Sequence, residues 1–232
     1  MRSLYSLVIV FLGVGLWILG VPFAATSAAE SYVAGQIGAT FPQNMDSVQT
    51  TGTNGSNALT GVQLKNSIMY GGKAGYYFNS LSLDWLGVEA DVMHTTPHMK
   101  QHGYTINGPG GPTTVNQGML LGVTTLGFKL MLRTPRRDMD RWFEPYVGAG
   151  PAIFFANLNG PNGSSSDTAI GFNLALGSRF YVSKSLAFFT ELKMNSSATF
   201  SFNNAISNGT GIRGDYAAYF FATGLSYHFG GK

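Results

Sequence analysis

Glu89 and Asp91 stand two apart in LGVEADV (86–92). On a β-strand alternate side chains share a face, so this spacing puts both carboxylates on one side of a sheet. A pair of that kind can act as general acid and base where a substrate comes within hydrogen-bond reach. Just downstream, MHTTPHMKQH (93–102) repeats His94, His98 and His102 at four-residue intervals. On a helix three imidazoles so spaced would share one face and suit zinc, copper or nickel. Pro97 and Gly103 oppose a helix there, and ligand identity without fixed geometry does not make a metal centre. His94 could also supply the imidazole of a hydrolase, with Ser196 or Ser197 as nucleophile, but no carboxylate stands beside it in the chain. The glycine-rich stretches GPGGP and NGPNGSSS have neither the Lys-Ser/Thr pair nor the helix of a phosphate loop. No catalytic residue, bound metal or cofactor is assigned from these groups.

The elements that hold them are read from composition and periodicity. Of 232 residues 11% are charged and 13% aromatic, with 31 glycines and no cysteine. Ordinary soluble domains carry about a quarter charged residues. The lack of cysteine excludes disulfides, thiolate zinc sites, a thiol nucleophile and a lipidated cysteine. The net charge of +3 is small, and the one dense charge run, RTPRRDMDR (133–141), mixes signs, so nucleic acid is not an expected partner. Arg2 precedes an apolar run from Leu4 to Phe23 that ends in small residues, with Ser27-Ala28-Ala29 before Glu30. Residues 1–29 therefore read as an export signal and 30–232 as one domain. The apolar run exceeds the usual 7–15 residues, so an uncleaved anchor is the alternative.

From residue 32 onward one pattern repeats eight times: 32–41, 67–78, 85–94, 119–133, 145–156, 169–182, 186–194 and 216–229. Each segment alternates an apolar row with a small or polar one, as in Leu86, Val88, Ala90 and Val92 against Glu89 and Asp91. Short turns at 79–84, 135–140 and 183–185 alternate with longer polar stretches at 42–66, 95–118, 157–168 and 195–215. Aromatics gather beside the short turns: Tyr76, Phe78, Trp85, Trp142, Phe143, Tyr146, Phe180, Tyr181, Tyr227 and Phe229. A soluble sandwich shares the alternation but not the loop asymmetry or the aromatic girdle. Strands of nine to eleven residues, tilted, match a bilayer core, and closure is the one way a sheet satisfies its backbone in lipid. The expected fold is all-β: an eight-stranded antiparallel transmembrane up-and-down barrel with long extracellular loops and short periplasmic turns.

SYVAGQIGATFP, LGVEADV, LMLRTP with FEPYVGAG, and the closing FATGLSYHF together resemble the eight-stranded outer-membrane β-barrel family, OmpA-like or opacity-protein-like. The resemblance covers the whole mature chain, residues 30–232, and its motifs specify architecture better than activity. It departs where Gly230, Gly231 and Lys232 follow the terminal aromatic, and no peptidoglycan-binding domain is expected. It implies a monomer in the outer membrane of a Gram-negative-type cell, surrounded by lipid and lipopolysaccharide, with any surface ligand met by the loops. The implied role is structural or surface-interacting. The alternatives are a narrow porin-like channel, for which inward glycines at 127, 148, 150, 177 and 224 could leave gaps, and a lipid A-modifying enzyme.

Barrel parity sends Lys73, Glu89, Asp91, Lys129, Arg179, Glu191 and Lys193 inward. Pairing about the 79–84 turn sets residue 73 opposite 91; about the 183–185 turn Arg179 faces residue 189, with Glu191 on the diagonal. A barrel of eight strands has room only for its side chains, so these charges read as a paired interior network that plugs the lumen rather than as an acid/base site.

Overall fold

A computed structural model describes residues 30–43, 48–52, 58–59, 63–78, 83–99, 104–108, 111–115, 119–134, 142–160, 163–207 and 210–229. In chain order the strands are β1 (Glu30–Pro42), β2 (Val48–Gly52), β3 (Ala58–Leu59), β4 (Ser67–Phe78), β5 (Leu83–Thr95), β6 (Tyr104–Gly108) and β7 (Gly111–Val115). They continue with β8 (Leu120–Arg133), β9 (Phe143–Gly160), β10 (Gly163–Tyr181), β11 (Leu186–Ser197), β12 (Phe200–Ser207), β13 (Thr210–Gly214) and β14 (Ala217–Phe229). No helix among the described residues is long and apolar enough to cross a membrane.

Eight of the strands close into a barrel in the order β1-β4-β5-β8-β9-β10-β11-β14, every neighbour antiparallel and β14 paired back to β1. The register can be followed round the wall through residues of the outward row. Ser31 faces Tyr76, then Val88, Leu130, Ala149, Leu174, Met194 and Tyr219, and the path returns to β1 at Phe41. The wall thus advances ten residues per circuit, from 31 to 41, and eight strands with that stagger tilt about 40° from the barrel axis. Outward residues such as Ile37, Ile68, Phe128, Leu176 and Leu225 are exposed. Phe78 and Ile68 stand ten residues apart on β4, as do Phe229 and Tyr219 on β14. At about 3.3 Å per residue and that tilt the apolar band is about 25 Å tall, the height of an outer-membrane barrel's lipid belt.

At the short-turn end, ring contacts join Tyr76 to Phe78, Trp142 to Phe143 and Phe180, and Tyr227 to Phe229 on the outer wall. Two residues expected in this girdle are not in it. Tyr146 is buried in the lumen with Tyr32, Tyr77 and Met131, and Tyr181 turns in to Glu144 and the His228 ring. Their parity is that of Glu144 and Arg179, which overrides their nearness to the turn.

The loop end also differs from the expectation of four long loops. The stretch 157–168 is the top of a hairpin: β9 and β10 stay paired to Gly160 and Gly163, the latter at a φ of +134° that suits glycine. The stretch 95–118 holds the β6–β7 hairpin. Parts of 42–66 and 195–215 form a second sheet, ordered β12-β13-β2-β3. Val48, Phe200, Phe202 and Ile212 of that sheet share one buried apolar cluster with Met69, Met93, Phe154 and Phe220 of the barrel wall. The apolar side of this second sheet thus packs on the loop end of the barrel as a cap. The readings made for residues 1–29, 79–82, 135–141, His102 and 230–232 fall outside the described residues.

Candidate functional site

Inward side chains fill the lumen in levels. At mid-height, strands β4, β5, β8 and β11 contribute three lysines and three carboxylates, all fully buried. Lys129 Nζ lies 2.8 Å from Glu89 Oε1 and 3.0 Å from Asp91 Oδ2. Lys193 Nζ lies 2.8 Å from Asp91 Oδ2 and 3.3 Å from Glu191 Oε2. Lys73 closes the circle, bonded to Glu191 and 3.5 Å from Glu89 Oε2. The six groups make a ring of alternating sign, Lys73–Glu89–Lys129–Asp91–Lys193–Glu191, with no net charge. Each ion has an opposite ion on either side, the condition under which charges can sit in a low-dielectric interior.

Below it, towards the short-turn end, a second self-neutral level holds Glu30, Arg133, Glu144 and Arg179. Arg133 Nη1 is 2.8 Å from Glu30 Oε2 and 3.2 Å from Glu144 Oε2, and Arg179 Nη1 is 2.8 Å from Glu144 Oε1. Tyrosines join the two levels. The Arg179 guanidinium carbon lies 4.3 Å from the ring centres of both Tyr32 and Tyr146. The Tyr32 hydroxyl donates to Glu89 Oε2 at 2.5 Å and that of Tyr146 to Glu191 Oε1 at 2.8 Å. Among the described residues Arg179 Nε and Nη2 meet no hydrogen-bond acceptor; cation–π contact with the two tyrosine rings serves the guanidinium instead.

Of the seven interior charges expected from parity, six come together in the ring. Arg179 belongs to the lower level, and its partner is Glu144, directly opposite it in the register, rather than Glu191. Lys73 and Asp91 are opposed as expected, yet their heads part: Lys73 turns to Glu191 and Glu89, and Asp91 takes Lys129 and Lys193. Glu30, Arg133, Glu144 and the three tyrosines Tyr32, Tyr77 and Tyr146 were not anticipated. Gly148, Gly177 and Gly224 leave no gaps: a Cβ there would meet Met131 Sδ, the Tyr146 ring and Phe189, each within 2.8 Å.

Two groupings have the residue types of hydrolysis. His228 Nδ1 is 2.8 Å from Glu30 Oε1 and its Nε2 shares a 3.0 Å hydrogen bond with Ser226 Oγ, an acid–imidazole–hydroxyl sequence. Ser226 is 1% exposed and its hydroxyl also donates to Ala187 O at 3.3 Å, so it is tied to the wall. His94 points outward at the loop-end rim, where Nδ1 shares a 2.9 Å bond with Thr124 Oγ1 beside the Tyr70 ring. His98 is half-buried, its carbonyl accepting from Lys65 N. Among the described residues no three potential ligands converge as a metal centre.

The model of the outer membrane protein beta-barrel domain matches residues 9–229. Among solved structures the chain is similar to the outer membrane protein OprG from Pseudomonas aeruginosa, at 14% identity and a TM-score of 0.60, covering 87% of this chain and 96% of that one. It is also similar to Neisserial surface protein A, at 14% identity and a TM-score of 0.52, covering 87% and 99%. At such identities these structures bear on the fold. A comparison with curated proteins finds no match. Matched by that family model over nearly its whole length, the chain belongs to the outer membrane protein beta-barrel domain family, and its place is the outer membrane.

Proposed function

We propose that this barrel is a sealed, non-enzymatic outer-membrane protein with a structural or surface-interaction role. Residues 1–29 export it and are removed, residues 30–232 form a monomeric barrel amid lipid and lipopolysaccharide, and its loop end meets any ligand outside. The observation that carries the reading is the alternating six-charge ring beneath an apolar cap. A conducting lumen needs a continuous wet path, whereas here the lysine heads of the ring are held by carboxylates and Gly148, Gly177 and Gly224 are overlaid by large side chains. Catalysis needs a substrate within reach of the reacting groups, and the ring and Ser226 are both buried. We expect purified barrel in planar bilayers to show no discrete conductance steps above background. Reproducible single-channel steps would replace this reading with the narrow channel.

A further inference from the structure

Above the lipid band the wall continues on one side of the barrel. β11 stops at Ser197 and β14 starts at Ala217, and the chain beyond them enters the cap with Phe200 and Tyr216. β9 and β10 instead stay paired up to Gly160 and Gly163. From Ile170 to Gly163, at about 3.3 Å per residue and a tilt of about 40°, they rise about 18 Å above the band. The inner face of this ledge is occupied. Ala156, Leu158 and Ala169 pack into the apolar cluster of the cap, and Asp167 accepts a hydrogen bond from Ser201 N at 2.6 Å. The outer face continues the lipid-facing rows upward, in register with β8. Thr124, Phe155 and Thr168 form its lowest row, Gly122, Asn157 and Ser166 the next, and Leu120, Asn159 and Ser164 the highest.

Height and chemistry together select what lies against this face. The headgroup layer of a phospholipid is about 5–8 Å deep, less than half the rise of the ledge, so a taller lipid is needed to cover it. None of the outward residues is charged, whereas binding of phosphate or carboxylate calls on Arg and Lys. Amides and hydroxyls, which both donate and accept, match a neutral partner that does the same. Phe155, 45% exposed between two threonines at the edge of the band, adds an apolar surface. A sugar ring offers both chemistries, with C–H groups on its face and hydroxyls around its rim. We propose that the outer face of β8, β9 and β10 binds the saccharide of a lipopolysaccharide molecule whose acyl chains lie on the lipid-facing rows directly below. The inference rests on the proposed placement of the loop end outside, amid lipopolysaccharide.

Native mass spectrometry of the barrel released from phosphatidylglycerol nanodiscs doped with rough-core lipopolysaccharide reads which lipid is retained. Wild type is expected to keep lipopolysaccharide about tenfold over phosphatidylglycerol, relative to their input. Asn157→Ala with Ser166→Ala, confirmed folded by gel mobility before and after boiling, is expected to lose about fivefold of that preference. No preference in wild type, or an equal preference in the variant, overturns the proposal. Capture of free core oligosaccharide by wild type in phosphatidylglycerol alone would make the ledge a receptor for soluble glycans and overturn the lipid-anchored assignment. The placement is checked separately with Arg213→Cys, on an exposed position of the cap in a chain without other cysteine. A membrane-impermeant maleimide is expected to label it on intact cells; absence of labelling rejects that placement, and the proposal with it, whatever the nanodiscs show.

Discussion

Arg179 is the residue on which the lumen's two charged levels turn. Its guanidinium is clasped between two tyrosine rings whose hydroxyls hold the ring above, and among the described residues its carboxylate partner is Glu144, which also serves Arg133. Removing the charge of Glu144 leaves two buried guanidiniums short of a counter-ion. We expect Glu144→Gln to lower the unfolding free energy by about 3–5 kcal/mol, read from urea titration of the barrel refolded in vesicles. Lys184→Gln, at an exposed turn position, should change it by no more than about 0.5 kcal/mol. The double variant Glu144→Leu with Arg179→Met should cost less than the two single changes together, and strict additivity would refute the coupling. Glu144 escaped the sequence reading because Pro145 looks like a strand start, yet the strand begins at Phe143 and so gives Glu144 inward parity. Glu30 stands before the first expected segment, and Arg133, though the last residue of 119–133, opens the mixed charge run RTPRRDMDR, so neither was placed in the lumen. The ring was more legible, since short turns fix register and parity fixes the face. Which cation meets which anion was not, because the contacts cross the lumen and depend on the stagger of the whole wall.

At the scale of an element, β10 runs from a polar tip through the lipid band into the girdle. Ile170 lies at the loop-end limit of the band and Phe180 in the girdle, with Leu176 near the middle between them. A charge on the lipid face costs about 2–4 kcal/mol at mid-depth and about 0–1 near an interface. Leu176→Arg should accordingly destabilise by the larger amount and Ile170→Arg by the smaller, in the same urea titration; equal effects would displace the band from where the girdles put it. All eight wall strands were legible because lipid on one side and packed side chains on the other enforce strict alternation. Above the band that constraint lapses. Asn157, Asn159, Ser164 and Ser166 lie on exposed or half-exposed positions beyond the lipid, while Ala156, Leu158 and Ala169 continue the buried row. The outward half of the alternation is thus polar, and the stretch reads as a loop. VQTTG and TGIRG are too short and too polar to announce β2 and β13, which take their order from the cap they cover.

For the whole molecule, the proposed removal of residues 1–29 and the monomeric state make one joint prediction. Native mass spectrometry of protein solubilised from the outer membrane should give the mass of a single chain beginning at Glu30. A mass including the apolar leader, or a multiple of the chain mass, would reject one part or the other. Glu30 at that start is bound to Arg133 and His228, so the first residue of the barrel and nearly the last meet in the same buried level. The seam between β1 and β14 is also the contact of greatest sequence separation, joining Ser31 to Phe229. Until β14 arrives, the sheet has two open edges, and in hydrocarbon each unmet backbone group costs several kcal/mol. Partial insertion therefore has no resting place. Loop-closure entropy across almost the entire chain has to be spent before the last hydrogen bonds repay it. Assembly of this protein is consequently a single late event that waits on its C-terminal strand, and a chain cut before residue 217 should leave no inserted fragment behind.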